Sequence, residues 1–251
     1  MMQSPKDLFS SNAAFYARYR PLYPPELYRF ILSHVKEKNA ALDCGTGNGQ
    51  CAAVLAEHFK EVEATDISQK QIANAASKPN LHYHVCPAEK TPFADNSFDL
   101  ITCATAVHWF QFSEFFSEMK RVAKNNAVFA CWAYNVLQTD KDELNKIIRE
   151  FYWQTIHSYW DPERSHVDAE YKTIPFPFEE MPNPGFTTQV EWDLDWLRGY
   201  FFTWSAVQHY IENNNADPIN KLMKKIRSIF DENVKLKIYF PIFMRIGIIK
   251  K

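Results

Sequence analysis

Along the first half of the chain, short apolar blocks alternate with stretches whose apolar residues recur at helical spacing. "AALDC" (40–44), "VEAT" (62–65), "LHYHVC" (81–86), "FDLITCA" (98–104) and "AVFACW" (127–132) read as strands. "QCAAVLAEHF" (50–59), a segment beginning at Ser68, and "SEFFSEMKRVA" (113–123) read as helices. Ser68 and Gln71 match a capping box. Strands that alternate with helices imply a parallel sheet with right-handed crossovers. Two short helices precede them, over 11–19 and 23–35, the second with Pro25 near its first turn, where a missing N–H costs little.

After Trp132 the pattern changes. Residues 139–160 read as an aromatic-rich helix and 171–186 as a loop rich in Pro and Phe. "TTQVEW" (187–192) reads as a strand, 194–211 as one helix and 218–232 as another. The last stretch, 234–250, reads as a long strand broken or bent near Pro241. There is no internal repeat and no low-complexity linker. One domain over 1–251, with 1–35 as a helical cover and 136–186 as an insertion, is simpler than two.

Composition narrows the function classes. The 251 residues are 46% hydrophobic and 16% aromatic, enough for a sizeable core. A net charge of −2 without a basic block argues against a nucleic-acid partner. No run of about 18 apolar residues exists, so no membrane span is expected. The first ten residues lack the apolar stretch of a secretion signal. The five cysteines are odd in number and without C-x-x-C spacing, which fits free thiols in a reducing cytoplasm. The expectation is a cytoplasmic monomer.

Three of the six glycines, Gly45, Gly47 and Gly49, stand in "ALDCGTGNGQ" (41–50), where a strand turns into a helix. Glycine there admits positive φ and lets a ligand touch backbone. Ligands of doubly wound sheets bind beyond the carboxyl ends of strands, where such turns lie. A tight connection alone needs one glycine, rarely three. The dinucleotide fingerprint would set its third glycine at 50, where Gln50 stands, and no Lys-Ser/Thr pair follows as in a P-loop. Asp43, two residues ahead, suits a ligand with a cationic amino group. Asp66, at the end of the next strand, occupies the position where these folds set an acid on a ribose hydroxyl pair. The alternative for Asp66 is a helix cap, a role Ser68 can also fill.

D-x-G-x-G-x-G at 43–49, the acid at the end of the next strand, "CPAEKTPFADNSFDLITCATAVHWF" (86–110) and "EMKRVAKNNAVFACW" (118–132) together resemble class I S-adenosylmethionine-dependent methyltransferases. The chain is most similar to the branch that includes trans-aconitate methyltransferase. Its "Y-x-x-x-R-P-x-Y-P" stands at Tyr16–Pro24, its "A-E-x-x-P-F" at Ala88–Phe93 and its "H-W-F" at His108–Phe110. "RGYFFTWSAV" (198–207) adds to the resemblance, which covers nearly the whole chain. It implies a Rossmann-like, mostly parallel seven-stranded sheet with helices on both faces, an antiparallel last strand, and the helical insertion as a substrate cap.

The resemblance also implies roles. Gly45, Thr46 and Gly47 pack under the methionine part of the cofactor, with Asp43 near its amino group. Asp66 accepts from the ribose hydroxyls, Ile67 lies against the adenine, and Ala88 and Glu89 border its edge. Ala104 contributes backbone near the amino acid moiety. Tyr16 and Arg20 come over the top, with Arg20 near the carboxylate, which suits an arginine fork. The family's Pro-Gly-Gly turn before the fifth strand is replaced by Lys124-Asn125-Asn126, and Asn is the next best residue for positive φ.

The implied activity is methylation of a small molecule, as on a carboxylic acid oxygen. A non-catalytic binding relative and a nicotinamide oxidoreductase are the alternatives, the latter disfavoured by Gln50. His108, after the fourth strand, is the candidate catalytic residue, either as a base or as a pocket-lining donor. Trp109 either walls the site as a cation–π face or fills core. His82 and His84 point to one face of a strand, but no partner at ligand spacing accompanies them, so no metal is expected. Phe151, Tyr152, Trp153, Tyr159 and Trp160 either cap the substrate side or build an accessory core.

Overall fold

The computed structural model describes residues 18–231 and 233–251. The expected helix over 11–19 lies outside them except for its last two residues, and Tyr16 lies outside them altogether. Five strands, β1 (Ala40–Cys44), β2 (Glu61–Asp66), β3 (Leu81–Val85), β4 (Phe98–Ala104) and β5 (Ala123–Tyr134), pair in parallel. The last strand, β9 (Leu236–Ile249), lies antiparallel against β5. β6 (Gln138–Thr139), β7 (Glu179–Met181) and β8 (Phe186–Trp192) all join β9, also antiparallel. The order is β3-β2-β1-β4-β5-β9-β6, with β7 and β8 on β9 as well. β1 runs on to β2 and β3 in one direction while β4 leads to β5 in the other. The order therefore reverses between β1 and β4, which is where an open α/β sheet binds its ligand.

The helices are α1 (Pro25–Ser33), α2 (Gln50–Leu55), α3 (Gln69–Ala73), α4 (Phe112–Val122), α5 (Asp142–Glu150), α6 (Arg164–Asp168), α7 (Leu194–Phe202), α8 (Ser205–Asn214) and α9 (Pro218–Arg227). Period-two alternation along the strands feeds two cores. Ala41, Leu100 and Val128 face one with α1, α2 and the α7–α9 group, while Leu42, Ile101 and Phe129 face the other with α4. α4 turns Phe115, Met119 and Val122, one helical face, onto that second core. Helices thus cover both faces, as the alternating pattern implies.

Several boundaries differ from the sequence reading. The sheet has nine strands among the described residues, not seven, because β6 and β7 are short additions to the free part of β9. β7 lies inside the expected 171–186 loop. β9 is unbroken at Pro241: Pro241 O accepts from Asn135 N just past the end of β5, so the missing N–H falls between its β5 and β6 partners. The expected helix over 194–211 is two helices. Trp204 takes an extended conformation, φ −78 and ψ 128, and buries its indole beside Phe151, Tyr152, Trp160 and Phe201. Thr203 closes α7 by donating its hydroxyl to Tyr200 O at 2.6 Å. The 218–232 helix stops at Arg227. The aromatic helix over 139–160 becomes α5, then a wider π-turn closed by Ile156 N to Phe151 O at 3.2 Å, then a short 3-10 turn. Residues 124–126, expected as a turn before the fifth strand, fall inside β5 at an irregularity, where pairing with β4 jumps from Phe98–Ala123 to Leu100–Val128 and Asn126 takes φ 64.

All five cysteines are free thiols. No helix among the described residues is long and apolar enough to cross a membrane.

Candidate active site

A cleft opens at the carboxyl ends of β1, β2 and β4, where the strand order reverses. Its empty volume, mouth included, is about 1740 Å³.

The glycine turn forms its floor, and each of its three glycines has a separate reason. All sit at positive φ: 64 for Gly45, 56 for Gly47 and 78 for Gly49. A Cβ on Gly45 would stand 2.5 Å from Ala106 Cβ, and one on Gly49 would collide with the Tyr83 hydroxyl. Packing demands those two. A Cβ on Gly47 would meet nothing within 4 Å, because it would project into the cleft that Gly47 lines. Gly47 therefore holds its backbone open to a ligand.

Two acids position this turn. Asp43, only 1% exposed, accepts from the Thr46 hydroxyl at 2.6 Å and from the Thr102 hydroxyl at 2.7 Å. Burial pushes its carboxyl above the ordinary range, and these hydroxyls pull it back in part. Asp43 lies beneath the turn and is not among the lining residues. Asp66 does line the cleft. Its Oδ2 accepts from Gly47 N and its Oδ1 from Ser68 N, both at 2.8 Å. Ser68 caps α3 by accepting from Gln71 N at 3.2 Å, but the reciprocal half of the expected capping box does not form: Ser68 N donates to Asp66 instead, and Gln71 Oε1 is buried without a hydrogen-bond partner among the described residues.

The other expected cofactor residues gather on the same cleft. Thr46, Ile67, Ala88, Glu89 and Ala104 line it, and Glu89 Oε1 accepts from Gln111 N at 2.9 Å. Arg20 lines it from above. Its guanidinium donates to the Tyr134 hydroxyl at 2.8 Å and to Thr203 O at 3.2 Å, and lies 5.4 Å over the Tyr200 ring. Trp109 lines the cleft too, its ring 4.9 Å from that of His108.

Thr105 and Tyr23 were given no role by sequence reasoning. Thr105 follows β4 and holds φ 55, a strained value for a β-branched residue. Its N donates to Trp132 O at 2.7 Å, and its hydroxyl meets the Tyr23 hydroxyl at 2.8 Å. Tyr23 stood inside the quoted N-terminal motif, whereas nothing about a lone threonine signals a left-handed residue.

The insertion reaches the cleft through Trp160, Asp161, Glu163 and Arg164. Of Phe151, Tyr152, Trp153, Tyr159 and Trp160, only Trp160 lines the cleft. Phe151 and Tyr152 are core, Tyr159 packs on Tyr210 and Trp153 is exposed. Arg164, also without a sequence signal, is held rigidly. Its guanidinium lies 4.8 Å over the Trp160 ring and 5.7 Å over Tyr152, and Nε donates to the Tyr152 hydroxyl at 3.0 Å. Asp168 accompanies it at 3.4 Å. Its Nη donors bond nothing among the described residues.

His108 lines the cleft below Arg164, buried, with Nδ1 2.9 Å from the Tyr171 hydroxyl. Burial pushes its pKa well below the ordinary histidine range, and the positive charges of Arg164 and His166 add to that. The ring is neutral at pH 7. His82 and His84 pair instead with Glu61 at 3.1 Å and Glu63 at 2.5 Å, across β3 and β2. Among the described residues no group of three or more potential ligands is placed to hold a metal ion.

Comparisons with known proteins agree on this part of the chain. The family described as "Methyltransferase domain" matches residues 42–131, from the glycine turn to β5. A Dictyostelium discoideum protein named as a methyltransferase is 33% identical over 95% of this chain and 93% of its own length. A Saccharomyces cerevisiae protein named as an S-adenosylmethionine-dependent methyltransferase is 24% identical over 92% of this chain and 94% of its own. A solved structure from Anaeromyxobacter dehalogenans, described as a type II methyltransferase, superposes with a TM-score of 0.85 at 36% identity, covering 92% of this chain and 99% of that one.

Proposed function

The chain belongs to the class I S-adenosylmethionine-dependent methyltransferases, and from that premise we propose that it methylates a carboxylate oxygen of a small organic acid. The observation that carries this reading is Arg164. A guanidinium stacked on Trp160 and pinned through Nε keeps its two Nη donors on the cleft, in the fork geometry that receives a carboxylate. The resemblance of the N-terminal and post-β4 motifs to trans-aconitate methyltransferase points the same way.

The cofactor fits what the residues offer. Gly47 leaves room for close backbone approach, and Asp66 stands ready at the end of β2 for a hydroxyl pair. Asp43 adds negative charge beneath the turn, Ile67 and Ala88 offer apolar surface, and Arg20 brings a positive charge from above. S-adenosylmethionine supplies, when bound, a methyl group on a cationic sulfonium. The protein's task is then to bring the nucleophile into line and exclude water. A carboxylate already carries the lone pair that would take the methyl group, so the protein would have no proton to remove from it. The site therefore needs donors that orient the acid, not a base. Residues 136–186 act as the substrate cap through Trp160 and Arg164.

The test uses methyl-labelled S-adenosylmethionine with a panel of small mono-, di- and tricarboxylic acids, and amines beside them. A methyl ester releases its label as volatile methanol in alkali, whereas an N-methyl group is retained. The expected result is alkali-labile label on an acid. Alkali-stable label on an amine overturns the reading.

A further inference from the structure

Tyr171 belongs to no element of the Rossmann-like sheet and to no motif in the sequence, yet it is held at unusual cost. It follows Glu170, and both take the left-handed region, at φ 60 and 54. Two consecutive non-glycine residues there, one of them bulky, store strain that the surroundings must over-determine. Arg245 of β9 does so. Its Nη1 donates to Tyr171 O at 3.2 Å and to Ile174 O at 2.6 Å. The same guanidinium is gripped by both oxygens of Glu180, at 2.8 and 2.7 Å, and lies 4.4 Å over Phe176. The result of this clamp is a phenol with no solvent exposure whose hydroxyl touches one polar group among the described residues, His108 Nδ1.

That single contact decides where the protons are. A buried phenol far from ionisation carries its O–H, and burial keeps Tyr171 protonated. If Nδ1 carried the imidazole proton, the phenol would accept it and its own O–H would point into apolar side chains such as Phe243. An orphaned buried donor is disfavoured. If the phenol donates, both groups are satisfied. The neutral ring then carries its proton on Nε2, the nitrogen left for the cleft that His108 lines. The charged neighbours, Arg164 and His166 on α6, both oppose a second proton on the ring.

We propose that Tyr171 is a positioning residue: its phenol donates to His108 Nδ1 and so fixes the imidazole as the Nε2–H tautomer, a hydrogen-bond donor to the methyl acceptor and not a base. Arg245 is the brace that keeps the phenol in place. What the donor does for catalysis rests on the carboxylate reading above, because an acid needs a donor where an alcohol or ammonium would need a base. The tautomer itself does not depend on that reading.

Nitrogen-15 NMR of the histidine rings in the full chain tests the assignment, with and without S-adenosylhomocysteine. His108 is identified by the signals lost in His108→Gln. The expected wild-type ring has a protonated Nε2 and a bare Nδ1. In Tyr171→Phe the neutral ring loses a donor, so the His108 protonation midpoint rises, by roughly one pH unit. A phenol that merely filled space would leave the midpoint unmoved, and one that accepted from Nδ1–H would let it fall. A wild-type Nδ1–H tautomer, or a midpoint that falls or stays in Tyr171→Phe, overturns the proposal. Should Tyr171→Phe fail to fold, the wild-type tautomer decides alone. These spectra are read without any acceptor, so their outcome is separate from the labelling result.

Discussion

Gly47→Ala separates what the glycine turn does for the fold from what it does for the ligand. The residue holds φ 56, and an added Cβ meets no atom within 4 Å. The cost to folding is therefore conformational alone, about 1–2 kcal/mol for an L-residue in the left-handed region. In a chain of this size each kcal/mol moves the melting temperature by roughly 2–4 °C, so a fall of about 2–8 °C is expected. The new methyl stands in the cleft, against the face that the ligand approaches. A tenfold loss of affinity corresponds to only about 1.4 kcal/mol, and displacing a ligand from close backbone contact costs at least that. Titration calorimetry with S-adenosylhomocysteine, beside differential scanning fluorimetry, reads both quantities. Gly47→Asn is the control. Asn tolerates the left-handed region, so its melting temperature recovers while its Cβ still obstructs. The reasoning is refuted if both variants bind S-adenosylhomocysteine within twofold of the parent, since nothing would then approach Gly47.

Other substitutions probe the rest of the cleft. Asp66→Ala removes the acceptor of Gly47 N and Ser68 N as well as the ribose acceptor, so calorimetry should show S-adenosylhomocysteine affinity falling at least tenfold; unchanged affinity would make Asp66 purely structural. Arg164→Leu should raise the Michaelis constant for the acid acceptor tenfold or more and leave S-adenosylhomocysteine affinity within twofold, and a loss of cofactor affinity instead would move Arg164 to the other subsite. His108 also links stability to pH. Its folded pKa is depressed, so below about pH 6.5 the unfolded chain takes up a proton that the folded chain refuses. Its contribution is thus fully present above that value and is lost as pH falls, at up to about 1.4 kcal/mol per unit. Denaturant titrations at pH 7.5 and 5.5 should show a shallower loss in His108→Gln than in the parent, and an equal loss would show that His108 ionises freely in the fold.

The parallel sheet and its glycine turn were legible in the sequence because both rest on local rules. A buried strand needs a short apolar run, and a ligand-facing turn needs residues without Cβ atoms. Asp66 could be named because it ends the strand that follows the glycine turn, whereas Ile67, Ala88 and Ala104 were implied by the family resemblance. Legibility failed where distant packing overrode local preference. The helix over 194–211 has no proline and continues through Gly199, yet Trp204 leaves it, its indole packed in an aromatic cluster from the insertion. β7 forms in a Pro- and Phe-rich stretch because β9 offers it an unpaired edge.

Turn chemistry and periodicity marked the strand ends and the ligand-facing turn, and the motifs between 42 and 131 carried the resemblance that implied the family and the cofactor. Which groups from outside that stretch reach the cleft follows from packing alone. Arg164 meets the cleft because Trp160 and Tyr152 stack beneath it. Asp43 sits below the turn because Thr46 and Thr102 close over it. The proton on His108 is set by a phenol 63 residues away, held in a strained turn by an arginine from the last strand. Such contacts have no period or spacing along the chain, because they exist only where separate segments are packed against one another in a dry interior.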